Sequence, residues 1–94
     1  MALGVALILG GVARAAPVEQ VVGGIEAMVF VCTPIDLKSA KTGLELLEKA
    51  RVQRKLDLTV IRASEGYKSI YNSEVNRLLA LPAKDRLAAC QTAW

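Results

Sequence analysis

The chain has 94 residues, 12 Lys or Arg against 9 Asp or Glu, two cysteines and no histidine. Without histidine it lacks the commonest general base and the commonest metal ligand. A net charge of +3 with no concentrated basic stripe gives no ground for nucleic-acid recognition.

From Ala2 to Ala13 the chain is apolar or glycine throughout, and Arg14, Ala15, Ala16 and Pro17 follow. That length suits the hydrophobic region of an export leader and falls short of the roughly 20 apolar residues a membrane span needs. Ala13 and Ala15 supply the small-x-small cleavage pattern. Residues 1–15 are therefore expected to be a signal peptide, removed on export, and residues 16–94 a single domain. The only positive charge ahead of the apolar run is the α-amino group. The alternative is a buried N-terminal helix, against which Gly4, Gly10 and Gly11 weigh. The expected location is periplasmic or secreted, with no transmembrane span after cleavage.

Val18, Val21, Val22, Ile25, Met28, Val29 and Cys32 recur at three- and four-residue intervals, which predicts a helix with one apolar stripe. Gly23 and Gly24 interrupt it, and the β-prone Ala27 to Val31 stretch offers a strand as the competitor. In an oxidising compartment Cys32 and Cys90 are expected to form a disulfide, with buried free thiols as the cytosolic alternative. The bond would close a loop of about 59 residues and add roughly 4 kcal/mol on the chain-entropy model. The spacing contains no C-x-x-C, so it offers neither a thioredoxin-like motif nor a zinc knuckle.

Thr33-Pro34-Ile35-Asp36 predicts the next helix start, with Thr33 as the cap and Pro34 at the first position. This helix should run to about Arg54 and bury Leu37, Ala40, Leu44 and Leu47, widened by Leu46 and Ala50. Glu45 and Lys49 stand in the favourable i,i+4 order. Lys49, Arg51, Arg54 and Lys55 gather at the C-terminal end, where the helix dipole favours cations, and could contact an anionic lipid or polysaccharide surface. Asp57 is the expected cap of a short helix carrying Ile61, and Ser64 of another carrying Tyr67, Ile70, Tyr71, Val75, Leu78 and Leu81. Pro82 opens the last helix, with Ala83, Leu87, Cys90 and Trp94 on one face. The fold class is therefore all-α, a bundle of four to five short helices stapled by one disulfide. Trp94 is expected to pack over that disulfide.

No catalytic residue is nominated. Ser64 and Lys68 stand four apart, with Ser64 explained as a cap. Glu45 and Glu48 belong to a helix surface rich in basic residues rather than to a cleft. Asp57 and Glu65 lack the alternating acids of a calcium loop. No metal or other cofactor is expected. On a helical wheel Glu74 falls among Tyr67, Ile70, Tyr71 and Leu78, where an unpaired carboxylate is costly to bury. Either it pairs with a Tyr hydroxyl, Arg62 or Arg86, or Tyr67, Tyr71 and Glu74 face a partner.

In its cleavable leader, short helices and single widely spaced cysteine pair, the chain resembles in outline the small periplasmic acid-stress chaperones of the HdeA type. The resemblance is one of architecture, with no motif matched residue by residue. It implies a bundle that opens under acid or reduction and exposes the valine-rich first helix. The primary expectation from the residues is a non-catalytic module that binds a protein or cell-envelope component.

Overall fold

The computed structural model describes residues 17–94, so the expected leader lies outside the described residues. These fold into five helices with no strand among them: α1 Val18–Cys32, α2 Leu37–Arg54, α3 Leu58–Ala63, α4 Glu65–Leu79 and α5 Ala83–Gln91. None of them is long and apolar enough to cross a membrane. The apolar centre of the sequence is also the centre of the fold, because α1 packs most extensively on α4 and α2 and also touches α3 and α5.

The helix prevails over the strand at Ala27–Val31 and continues unbroken through both glycines. Gly23 explains why a costly residue sits there. A Cβ at this position would overlap the Ile70 side chain and stand 3.0 Å from the Tyr67 carbonyl oxygen, so only a glycine lets α1 and α4 approach so closely. Val22, Leu47 and Ile61 form the buried centre, flanked by Val18, Ile25, Leu56, Leu58 and Tyr67.

The start of α2 differs from the sequence expectation by one turn. Thr33 closes α1, its backbone N–H and its hydroxyl both donating to the Val29 carbonyl, at 3.0 and 2.6 Å. Asp36 is the true N-cap, accepting from the Ser39 N–H at 3.3 Å. The buried face of α2 is correspondingly rotated, to Ser39, Ala40, Gly43 and Leu47, while Leu37, Leu44 and Leu46 are exposed. The rotation is set by the chain's last residue. Trp94 leaves α5 and donates from Nε1 to the Ser39 carbonyl at 2.8 Å and to its hydroxyl at 3.1 Å. Its ring lies against Gly43, where a Cβ would collide with the indole. Trp94 thus packs on α2 instead of continuing the α5 face, and Ala83 and Leu87 of that face are exposed.

The remaining caps fall where the sequence puts them. Asp57 accepts from the Thr59 and Val60 N–H groups, and Ser64 from the Tyr67 N–H. Arg86 donates to the carbonyls of Leu78 and Leu79 at the end of α4 and of Leu81 just beyond it. Cys32 and Cys90 are bonded, with Cα atoms 5.6 Å apart, and both are fully buried. The adjoining Cys90 carbonyl accepts from the Ser39 hydroxyl at 2.6 Å, so the staple joins α1, α2 and α5 at one end of the bundle.

Candidate functional site

The C-terminal half of α1 carries Glu26, Val29 and Phe30, which the helical repeat brings to neighbouring positions facing α4 and α3. Glu26 is the polar centre. Its side chain is only 15% exposed. It accepts from Arg62 Nε at 3.0 Å and Nη2 at 2.5 Å, a two-pronged contact from α3, and from the Tyr67 hydroxyl of α4 at 2.7 Å. One carboxylate thereby ties three helices. Burial pushes the Glu26 carboxyl up, but the Arg62 and Tyr67 hydrogen bonds and the guanidinium charge outweigh it and hold it below its ordinary 4.5. Tyr67 moves the other way: burial, then donation to Glu26, raises its phenol well above the usual range, so it keeps its proton.

Around this centre the aromatic rings line up. Tyr67 and Tyr71 are stacked with centroids 5.6 Å apart, and Phe30 is tilted against Tyr71 at 6.3 Å. Together with Leu44 and Arg62 they enclose a groove of about 410 Å³. Phe30 and Thr33 also border a second, almost wholly apolar groove of about 370 Å³, completed by Pro34 and Leu79. Phe30, the chain's only phenylalanine, stands on the ridge between the two and is 57% exposed. Leu44 and Leu79 beside it are half exposed as well.

Of the three residues expected at a partner face, Tyr67 and Tyr71 line this groove, and Glu74 does not. Glu74 instead takes the Arg77 guanidinium within α4, with Nη2 to Oε1 at 2.7 Å, and this hydrogen bond holds its carboxyl low. Arg62 and Arg86, its expected partners, serve Glu26 and the end of α4. The residue that sequence reasoning missed is Glu26 itself. Its signal was a single carboxylate set among Val22, Ile25 and Val29 on the apolar stripe, with an Arg and a Tyr available downstream.

The basic group is divided. Arg51 is paired with Glu48 of the preceding turn through Nε and Nη2, at 2.9 and 2.5 Å, while no Glu45–Lys49 pair forms among the described residues. Lys55 ends α2 in the left-handed conformation, φ 55°. Lys49 and Arg54 border an apolar groove between α1 and α2. The Ser64 hydroxyl donates to the Ile61 carbonyl and accepts from the Tyr67 N–H, and Lys68 lies 3.7 Å from Glu65. Among the described residues no three Cys, Asp or Glu side chains are grouped to hold a metal ion. Comparison with protein-family models, curated proteins and solved structures finds no match.

Proposed function

We propose that the chain is an exported binding module, without catalytic function, that docks a partner protein on the face formed by Phe30, Tyr71, Leu44 and Leu79. The observation that carries this reading is Phe30, exposed on a ridge between two grooves in a domain that buries comparatively few large side chains. The composition fits a protein partner. Phenylalanine, tyrosine and arginine are the groups enriched at interface centres. The Glu26–Arg62–Tyr67 cluster supplies a polar floor whose hydrogen bonds are already satisfied. The Cys32–Cys90 staple, two residues from Phe30, supports a face held in one conformation.

The test places a photoreactive benzophenone side chain at position 30 in the exporting cell and, as a control, at Val60, which is 64% exposed on α3. The crosslinked protein is identified by mass and reconstituted with the purified chain. Phe30→Ser is expected to weaken that binding about tenfold or more, and Val60→Ser to leave it unchanged. Equal crosslinking at both positions, or equal loss with both substitutions, contradicts the reading.

A second reading, a periplasmic stress chaperone that opens in acid, is favoured by one observation. The only ion pair joining two helices among the described residues depends on the Glu26 carboxylate. Protection of an aggregating client by the parent at pH 3 and not at pH 7, with Glu26→Gln protecting at pH 7 as well, would select it.

A further inference from the structure

The N-terminal half of α1 and the C-terminal half of α2 enclose a groove of about 260 Å³ that the partner face does not use. Val22, Ile25 and Leu47 are among its apolar lining, and Val21 and Leu46, 42% and 40% exposed, leave it open to solvent. Its charged residues are both cations, Lys49 and Arg54; no Asp or Glu lines it. Neither cation has a carboxylate within 4 Å among the described residues. The groove lined by Phe30, Tyr67 and Tyr71 is different, because its Arg62 is already neutralised by Glu26. An apolar slot with two uncompensated positive charges and no negative one is complementary to a ligand that is apolar along its length and anionic at one end.

We propose that this groove binds one single-chain anionic amphiphile, its alkyl chain against Val21, Ile25 and Leu46 and its head group held by Lys49 and Arg54. A slot between two helices favours one chain over a bilayer surface, which would need a broad, flat apolar patch. The site is independent of the partner face, and either stands if the other fails.

Dodecanoate, kept below its micelle concentration, is titrated into the isotope-labelled full chain while the backbone amides are followed by NMR. The expected result is saturable one-to-one binding, with shifts at Val21, Ile25, Leu46 and Ala50. Dodecyltrimethylammonium, with the same chain and the opposite head, should bind about tenfold more weakly, and so should dodecanoate with the Lys49→Gln/Arg54→Gln double variant. Both substitutions lie at the groove rim, and a retained Trp94 indole resonance verifies that the variant is folded. The proposal is overturned by non-saturable binding, by equal binding of the cationic amphiphile, or by unchanged affinity in the double variant. Association with phosphatidylglycerol vesicles but not with dodecanoate overturns it as well.

Discussion

Glu26 on α1 and Arg62 on α3 form the only ion pair that joins two helices among the described residues. The Glu48–Arg51, Glu65–Lys68 and Glu74–Arg77 pairs each close a single turn within one helix. Losing one of those costs little, because exposed i,i+3 pairs contribute only tenths of a kcal/mol.

Glu26 should therefore contribute more than any other single carboxylate to the domain's response to acid. Because its carboxyl lies below its ordinary value in the folded state, it contributes stability at pH values above the unfolded value near 4.5. That contribution is lost as the pH falls through the lower, folded value. Glu26→Gln should lower stability at pH 7 by about 1–2 kcal/mol, toward the lower end because Arg62 is half in solvent. Once the pH has fallen below that folded value, the variant and the parent should converge. Urea denaturation at pH 7 and below that value measures this, and an equal gap at each would refute it.

The two adjacent glycines of α1 should respond in opposite directions. Gly23→Ala places a methyl group into Ile70 and against the Tyr67 and Tyr71 backbone, and should cost about 1–3 kcal/mol. Gly24→Ala meets nothing within 4 Å and should gain up to about 1 kcal/mol from helix propensity. Thermal denaturation of the two single variants checks the pair, and equal signs would mean that the α1–α4 approach is wrongly described.

Much of this fold was legible because its determinants are local. Asp57 and Ser64 marked helix boundaries through side-chain caps, and Pro82 through its fixed φ and missing N–H, all acting within one turn. Thr33 misled for the same reason: it and Asp36 are both capping residues, and which of them opens α2 depends on where α1 stops. The face of α2 was not legible, because it depends on Trp94 reaching Ser39 and Gly43 from 55 and 51 residues away. Glu74 and Glu26 divide along the same line. A wheel centred on Tyr67 and Tyr71 gave Glu74 the buried position, although its partner Arg77 was three residues along. Glu26 found Arg62 and Tyr67 across 36 and 41 residues.

Lys55 should be improvable. It is the only residue without a glycine's freedom that holds a positive φ among the described residues, and it does so at the end of α2 with its N–H on the Arg51 and Val52 carbonyls. Lys55→Gly keeps both hydrogen bonds and removes the Cβ strain, so it should stabilise the domain by about 1 kcal/mol. A fall in the urea midpoint would show that the lysine side chain contributes more than its backbone costs.

The Phe30 face, the Trp94 contact and the central helix all meet at the Cys32–Cys90 bond, which ties α1 beside Phe30 to α5 beside Ser39. The most direct measurement is the thermal midpoint of the oxidised chain against the Cys32→Ala/Cys90→Ala variant. Loss of the staple should lower it by roughly 15–30 °C, the equivalent of about 4 kcal/mol in a domain of this size. A difference of only a degree or two would contradict the account, because the helices would then hold the Phe30 face in place without the bond.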